Sequence, residues 1–321
     1  MAGTGACRLA AVLLNKHWPR TFSEGANGPF RNETSVYVGV PAWGNYEPLF
    51  KHAGFPNVRT YPHLDKSFNL NFESTMSTIK SAPSQSVFIL QAVCNNPTGQ
   101  DFSQGQWRAI ADALLAGGHF AYLDTAYQGL GNGLDKDAWA VRHFAEKGVN
   151  MLVCQSFSKN MGLYSERVGA LHVVCASEAI AANVLDQLRS YTRWEVSSSP
   201  AYAAQLVETV LSDETLAQEW EGQLGTARGR LHGLKKELHG LLTQRYGTPS
   251  PRTGTVEGWD HLMEENGLFS FTGLEGSLAD ALIQKHHVYL TSNGRINVSG
   301  MNAKNVGRVA EAFDDVVRAQ I

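Results

Sequence analysis

The chain has 321 residues, of which 43% are hydrophobic and 18% are charged, and its formal net charge is -3 at pH 7. This composition is ordinary for a globular protein with a full core, and the length predicts two domains. The small net charge excludes a strong attraction to nucleic acid or anionic lipid. No apolar run approaches the roughly 18 residues that a membrane span needs. We therefore expect neither a nucleic-acid partner nor a membrane partner.

The cysteines and the N-terminal segment predict the compartment. The four cysteines are scattered and form no CxxC pair, which favours reduced thiols over a disulfide framework or a zinc site, so no metal is expected. The apolar stretch "LAAVLL" is shorter than the usual signal-peptide core, and no cleavage site of small residues follows it. It predicts an ordinary amphipathic helix. We expect a cytoplasmic protein, with a mitochondrial form left open.

Short apolar runs alternate with helical patterns over the first two thirds of the chain. The strand-like runs cover residues 35–40, 86–93, 119–124, 150–155 and 168–174, and the helical patterns between them include 103–117 and 136–148. Strands connected by crossover helices predict an α/β fold with a mostly parallel sheet covered on both faces. In such sheets, ligands bind at the carboxyl ends of the strands.

The alternation of apolar runs and short helical patterns ends near residue 213. One long polar helix is predicted over about 214–246, and a turn-rich stretch, further apolar runs and a closing helix near 302–319 follow it. We predict a large domain over 1–226, which would carry the ligand site, and a smaller C-terminal α/β domain over 227–321. The long helix would link them.

Polar residues follow three successive predicted strands. They are, in chain order, Asn95, Asn96, Asp124, Tyr127, Ser156, Ser158 and Lys159. Each has a simpler explanation, since "NNPTG" alone is a turn and Asp124 alone could cap a helix. Because all of them would lie at the same edge of a parallel sheet, the set favours a ligand site.

These residue types suit one cofactor. A lysine such as Lys159, in a partly desolvated site, has a lowered pKa and can form a Schiff base with an aldehyde. A carboxylate such as Asp124 keeps a pyridine nitrogen protonated. Hydroxyl groups, an arginine and the amides of a helix start such as "GTG" at 3–5 suit a phosphate. The set predicts pyridoxal phosphate, although Arg167 alone could be a surface salt-bridge partner and "GTG" alone a turn.

The chain resembles the aspartate aminotransferase family, a fold-type I group of pyridoxal phosphate-dependent enzymes. The motifs "NNPTG", "DTAYQGL", "QSFSKNMGLYSERVG", "GLFSFTGL" and "GRINVSG" occur in the family's order. The resemblance runs from residue 3 to the C-terminus. It implies a helix-covered, mostly parallel sheet, a cofactor-binding large domain, and a homodimer with shared active sites. It also implies transamination between aspartate or glutamate and a 2-oxo acid such as 2-oxoglutarate.

The resemblance also implies roles for individual residues. Lys159 would form the Schiff base and move the proton, Asp124 would pair with the ring nitrogen, and Tyr127 would bond the ring oxygen. The implied cofactor-binding set is Gly3, Thr4, Trp43, Asn96, Asp124, Tyr127, Ser156, Lys159 and Arg167. Trp43, which could instead be a core aromatic residue, and Asn96 would also contact substrate. Arg295 would bind the substrate α-carboxylate. Arg193 would bind its side-chain carboxylate across the dimer, unless it only forms a surface pair with Glu195.

The sequence departs from the family pattern in several places. The chain begins almost on the phosphate loop, where family members carry on the order of a hundred earlier residues. Ala2 replaces a usual serine, and Tyr46 and Gln91 stand where histidines commonly support the ring-facing aspartate. An altered supporting shell would retune the cofactor. The alternatives are an aminotransferase of aromatic or other amino acids, a truncated non-catalytic relative, or an incomplete gene model.

Overall fold

The computed structural model describes residues 1–18 and 34–320. Its eight strands over these ranges are β1 (Ser35–Val40), β2 (Asn57–Pro62), β3 (Val87–Gln91), β4 (Phe120–Thr125), β5 (Met151–Ser156), β6 (Gly169–Val173), β7 (Phe269–Phe271) and β8 (Arg295–Asn297). The α-helices in the same ranges are α1 (Ala2–His17), α2 (Tyr46–His52), α3 (Phe72–Ser81), α4 (Gln104–Ala116), α5 (Leu134–Asp137), α6 (Trp139–Glu146), α7 (Glu178–Val196), α8 (Tyr202–Ser212), α9 (Glu214–Gly240), α10 (His261–Glu264), α11 (Ser277–His286) and α12 (Val306–Arg318).

Six strands form the main sheet in the order β2-β1-β3-β4-β5-β6. Strands β1 to β5 pair in parallel, and β6 pairs antiparallel with β5 at one edge. The predicted α/β fold with a mostly parallel sheet is confirmed. Strand β2 was not predicted, because it is an edge strand in which only Tyr61 is buried and its apolar pattern is weak.

Helices cover both faces of the main sheet. Along β4, Phe120 and Tyr122 join the apolar cluster on one face, while Ala121 and Leu123 join the cluster on the other. Side chains alternate between faces along a strand, so a strand covered on both sides is apolar throughout. This explains why the apolar run at 119–124 is continuous.

The predicted helices at 103–117 and 136–148 differ in how sharply they are bounded. Helix α4 starts after Ser103, whose side chain accepts the amide N–H of Gln106 while the Gln106 side chain accepts the N–H of Ser103. This reciprocal cap satisfies two amide groups that a helix start leaves unpaired. The second pattern divides into the short α5 and the longer α6. Local capping thus set the first boundary, and the second pattern carries no equivalent signal.

A second sheet pairs β7 with β8 in antiparallel fashion. Helices α9, α11 and α12 pack around it through a cluster that includes Trp259, Leu282 and Phe313. Helix α9 ends at Gly240 and continues as a π-helical turn over Leu241–Tyr246, so the predicted long helix changes its hydrogen-bond pattern near its end. The apolar stretch "VYLTS" at 288–292, one of the runs that follow the long helix in the sequence, forms no strand.

The proposed boundary between residues 226 and 227 falls inside α9. The division into two domains therefore stays a prediction. It also includes residues 19–33 and 321, which lie outside the described residues. Among the helices of 1–18 and 34–320, none has the length and apolarity that crossing a membrane requires.

Candidate active site

A cavity of about 140 Å³ lies where β3, β4 and β5 end. Its lining contains all nine residues predicted to bind the cofactor, Gly3, Thr4, Trp43, Asn96, Asp124, Tyr127, Ser156, Lys159 and Arg167. Parallel strands direct their carboxyl ends to one edge, which brings these separate motifs together. Their individual roles stay predictions.

Lys159 lies three residues beyond the end of β5 and lines the cavity. Its Nζ atom is 4.9 Å from the centroid of the Tyr127 ring. Burial lowers the pKa of Lys159, against the effect of Asp124, which raises it, while Arg167 lowers it further. A lowered pKa increases the neutral fraction of the amine near neutral pH. Only the neutral amine can attack a carbonyl carbon or accept a proton.

Asp124 lies in β4 and also lines the cavity, although it is only 8% exposed. Its Oδ2 atom accepts a hydrogen bond of 2.5 Å from the hydroxyl of Tyr46. Burial raises the pKa of Asp124, whereas the hydrogen bond from Tyr46 and the charge of Lys159 lower it. A cationic ligand atom in the cavity would stabilise this carboxylate further.

The start of α1 and the end of β5 form a polar part of the cavity. A β-carbon added to Gly3 would lie only 2.8 Å from Cβ of Ser156, so a glycine is needed for this close approach. The first N–H groups of a helix have no partner within the helix. Thr4 lies in this first turn, and the backbone carbonyl of Arg167 accepts the N–H of Ala2 at 2.9 Å. Amide groups, hydroxyl groups and a guanidinium suit a phosphate.

The second sheet contributes an arginine beside the cavity. Arg295, in β8, donates a hydrogen bond of 3.0 Å from Nη1 to Oδ1 of Asn96. Its guanidinium carbon lies 4.6 Å from the centroid of the Phe269 ring. That ring packs edge-on against Tyr127 with a centroid distance of 5.8 Å. The two sheets therefore meet at this cavity.

Trp43 is both a core contact and a cavity residue. It packs edge-on against Tyr46, with ring centroids 5.2 Å apart, and belongs to the rim of one apolar cluster. It also lines the cavity. The core interpretation and the predicted stacking role are thus compatible, because one side of the ring can pack while the other contacts a ligand.

Two predicted substrate residues, Arg193 and Arg295, do not line this cavity, and of these Arg295 is hydrogen-bonded to the lining residue Asn96. Arg193 is exposed in the last turn of α7, where Nη1 donates a hydrogen bond of 2.6 Å to Oγ of Ser197. Glu195 pairs instead with Arg8, at 3.0 Å. The alternative ion pair between Arg193 and Glu195 is therefore not formed.

Six further residues line the cavity and were not assigned to the cofactor or the substrate, namely Ala2, Cys7, Gln91, Ala126, Ser158 and Tyr164. Cys7 follows Gly3 by one helical turn, which places it on the same side of α1. Tyr164 belongs to the lysine motif, five residues after Lys159. Gln91 ends β3, and its side chain exchanges two hydrogen bonds with the backbone of Asn96, at 2.8 and 3.0 Å. Helical spacing could have identified Cys7, and the resemblance to the family had already singled out Gln91, whereas Tyr164 needed the fold.

Known proteins match both the sequence and the fold. A model of the family aminotransferase class I and II matches residues 24–313. The chain is 38% identical to the cytoplasmic aspartate aminotransferase of Caenorhabditis elegans, over 99% of this chain and 74% of that protein. It is 37% identical to the aromatic-amino-acid aminotransferase of Escherichia coli, over 99% and 75%. The crystal structure of the aromatic-amino-acid aminotransferase of Burkholderia pseudomallei, covalently bound to pyridoxal phosphate, superposes with a TM-score of 0.89 at 32% identity, over 99% and 74%.

The chemistry of the cavity agrees with these relatives. Pyridoxal phosphate carries an aldehyde, a pyridine nitrogen and a phosphate, and the cavity offers a lysine, a buried carboxylate and a polar helix start. Pyridoxal phosphate is therefore the cofactor of this protein. The match to the family over most of the chain leads to one conclusion: the protein belongs to the class I and II aminotransferases, with the fold-type I architecture of pyridoxal phosphate-dependent enzymes.

Proposed function

We propose that this protein transfers an amino group between aspartate or glutamate and a 2-oxo acid such as 2-oxoglutarate, with pyridoxal phosphate covalently attached at Lys159. The observation that carries the proposal is the hydrogen bond of 3.0 Å between Arg295 and Asn96 at the cavity. The planar guanidinium of Arg295 can bind a carboxylate through two hydrogen bonds. Every amino acid and 2-oxo acid substrate carries the α-carboxylate that it would bind.

The residues of the cavity fit the cofactor at both ends. The contact between Gly3 and Ser156 leaves no room for a side chain at residue 3, which keeps the start of α1 accessible to a phosphate. At the other end, the buried carboxylate of Asp124 suits the ring nitrogen. We assign Gly3, Thr4, Ser156 and Arg167 to the phosphate, Trp43 to the ring face, and Asn96 and Tyr127 to the ring oxygen.

The chain supplies the groups that hold and move protons. Pyridoxal phosphate supplies an electron sink for the bond that breaks at the substrate α-carbon. Asp124 would hold a proton at the ring nitrogen, because a buried carboxylate gains from a cationic neighbour. Lys159 would accept a proton at Nζ and return it to a second carbon, a role that its lowered pKa favours. Burial raises the pKa of Tyr127, so its hydroxyl remains a neutral donor.

Arg193 would select dicarboxylic substrates from a neighbouring subunit. It is exposed and lies outside the cavity of its own chain, while its neighbour Glu195 is already paired with Arg8. A homodimer that places Arg193 at the partner's cavity would give each site two guanidinium groups. Two such groups match the two carboxylates of aspartate or glutamate.

Aromatic amino acids are the second candidate substrates. The relatives of nearly equal identity include both an aspartate and an aromatic-amino-acid aminotransferase. The non-catalytic alternative is that this protein binds the cofactor but turns over no amino acid. All four cysteines are free thiols, which supports the cytoplasm as the proposed compartment, with mitochondria as the alternative.

Arg193→Ala tests the substrate assignment. Truncating one partner of a charge pair in a desolvated site costs about 2–5 kcal/mol, so kcat/KM for aspartate should fall by roughly 30- to 5,000-fold. The value for phenylalanine should fall much less. Steady-state kinetics with 2-oxoglutarate measures both, and Arg189→Ala, one turn earlier on the exposed surface of α7, is the matched control. Equal losses for aspartate and phenylalanine would refute the assignment.

Subunit mixing tests whether the site is shared. In a hybrid dimer of Arg193→Ala and Lys159→Ala chains, one site would combine the intact Lys159 with the intact Arg193. The other site would carry both defects. Recovery of aspartate activity on mixing is expected for a shared site. Absence of recovery, in a mixture that native mass spectrometry shows to contain hybrids, would place Arg193 outside it.

A further inference from the structure

Tyr46 is buried and contacts both Trp43 and Asp124, the two residues assigned to the face and the nitrogen of the cofactor ring. It is the first residue of α2 and is only 1% exposed. Its ring packs edge-on against Trp43 at 5.2 Å, and its hydroxyl lies 2.5 Å from Oδ2 of Asp124. Among the described residues, no second protein donor contacts the carboxylate of Asp124. One residue therefore connects both groups that would contact the ring.

We propose that Tyr46 is the positioning residue that keeps Asp124 ionised and its second oxygen free for the ring nitrogen of the cofactor, and thereby sets how strongly the cofactor is held. The proposal rests on the assigned role of Asp124. It concerns the support of that residue and does not depend on which amino acid is the substrate.

The hydrogen bond offsets the cost of burying the carboxylate. Burial raises the pKa of Asp124, and the Tyr46 hydroxyl is the largest of the influences that lower it. Without this donor, Asp124 would be protonated at a higher pH. A neutral carboxylic acid has no charge with which to stabilise a protonated ring nitrogen. Hydrogen bonds to charged groups are stronger than those between neutral groups.

A tyrosine in this position donates in the same way at every working pH. Burial and the nearby charges of Asp124 and Cys7 raise the pKa of Tyr46, so the hydroxyl stays neutral. The other titratable groups that act on this pair are Lys159, beyond β5, and Tyr127, beyond β4. A histidine in the same place could gain and lose a proton near neutral pH, so the support it gave would depend on pH.

Tyr46→Phe tests the proposal, because it removes the hydroxyl and keeps the ring that packs on Trp43. The first readout is the titration of Asp124 in the cofactor-free protein, followed by carbon-13 NMR with labelled aspartate, and Asp124→Asn identifies the signal. The second is the equilibrium affinity for pyridoxal phosphate, measured by tryptophan fluorescence. We expect a higher pKa for Asp124 and an affinity about 10- to 100-fold weaker.

Tyr61→Phe is the matched control, because Tyr61 is another buried tyrosine whose hydroxyl is not bonded to Asp124. Thermal unfolding of both variants separates a general loss of packing from the specific effect. An unchanged Asp124 titration and cofactor affinity in Tyr46→Phe, relative to Tyr61→Phe, would overturn the proposal.

If Tyr46→Phe fails to fold, Tyr46→His carries the test. The proposal then predicts a cofactor affinity that varies more steeply between pH 5 and 8 than that of the unaltered protein. An identical pH profile would overturn it. Neither readout uses an amino acid substrate, so failure of the protein to react with aspartate would refute the proposed function and leave this inference standing.

Discussion

The cavity at the strand ends and a second group of buried charges differ in what surrounds them. The second group, here called the junction cluster, consists of Lys235, Arg252, His261 and Glu265. The side chains of Arg252 and Glu265 are 2% and 0% exposed, with Nη1 and Oε1 3.8 Å apart. Lys235 is 1% exposed, and its Nζ donates to the backbone carbonyl of Glu265 at 2.9 Å.

Both groups contain titratable side chains with perturbed pKa values. Burial raises the pKa of Glu265 to about 7, against the lowering effects of Lys235, Ser270 and Arg252. Burial likewise raises the pKa of Asp124. The charged groups of the junction cluster, however, face one another in the protein interior, whereas Asp124 and Lys159 line an open cavity. A perturbed pKa alone does not identify an active site, because burial raises the pKa of a carboxyl group in a structural charge cluster in the same way.

The junction cluster still contributes to the site by holding the loop that carries Asn96. A β-carbon on Gly99 would meet Cβ of Glu265 at 2.9 Å, and the carbonyl of Gly99 accepts the N–H of Asn266 at 2.7 Å. The buried carboxylate of Asp101 accepts the N–H of Asn95 and also the side-chain amide of Asn266, both at 3.1 Å. We therefore expect mutations in the cavity to reduce catalytic turnover, and mutations in the junction cluster to reduce the free energy of unfolding.

Lys159→Ala is expected to have the largest effect. General acid–base catalysis alone contributes about 10²–10⁴ in rate, and covalent attachment is lost as well, so turnover should fall by at least about 10⁴-fold. The fold should remain, because within residues 1–18 and 34–320 the Lys159 side chain has no hydrogen-bonded partner that supports the core. Rapid-mix kinetics measures the rate, and borohydride reduction with peptide mapping locates the cofactor in the unaltered protein. Labelling of a lysine other than Lys159 would contradict the assignment.

Lys235→Met should show the opposite behaviour. Removing the cation leaves the buried carboxylate of Glu265 with less charge compensation, which typically costs about 3–5 kcal/mol. The free energy of unfolding, measured with urea at pH 8, should fall accordingly, while the folded variant still attaches the cofactor. Lys236→Met, at the exposed neighbouring residue, is the matched control and should change stability by less than about 0.5 kcal/mol. Equal stability of the two variants would remove the distinction between the groups.

Glu265→Gln should have the smallest effect, visible mainly as a change in pH dependence. Because the folded pKa of Glu265 is raised to about 7, the folded protein keeps a proton there that the unfolded chain has already released. Stability from this group is therefore present at low pH and is lost as pH rises towards 7. The variant lacks this loss, so its stability relative to the unaltered protein should rise by about 1–3 kcal/mol between pH 5 and pH 8.

Calorimetry of the cofactor-free proteins across this pH range measures the difference. Burial lowers the pKa of His261 to about 3, and this residue is present in both proteins, so its contribution largely cancels. Glu264→Gln, at an exposed neighbouring position, should give a flat difference. A flat difference for Glu265→Gln would mean that the carboxyl titrates as an exposed group does.

The sequence predicted which residues lie close together where polar residues follow the ends of apolar strands, and their roles stay predictions. The five predicted strands are present, and Asp124, Ser156 and Lys159 line one cavity as their positions after successive strands suggested. The reason is local, since a continuous apolar run bounded by polar residues forms a buried strand in any parallel sheet. The edge strand β2 was not predicted, because its sequence contains no continuous apolar run.

Contacts between distant residues depended on the tertiary structure. Arg295 reaches Asn96 across 199 positions of the chain, and Arg252 and Glu265 meet only because a turn and a helix fold back on each other. Nothing in the spacing of "PRTG" or "MEEN" predicts a buried ion pair. Such pairs form when packing excludes water around groups that the sequence alone would place on the surface.

The sequence by itself determined the parallel α/β fold, the cofactor and the motif that contains Lys159, because these follow from apolar periodicity and from the order of short motifs. The tertiary structure decided how Asp124 is supported and where Arg193 lies. A hydroxyl of Tyr46 at 2.5 Å from Asp124 and a guanidinium outside its own cavity are consequences of packing. Periodicity and motif order fix which residues share an element, whereas hydrogen-bond partners and exposure depend on how the elements pack.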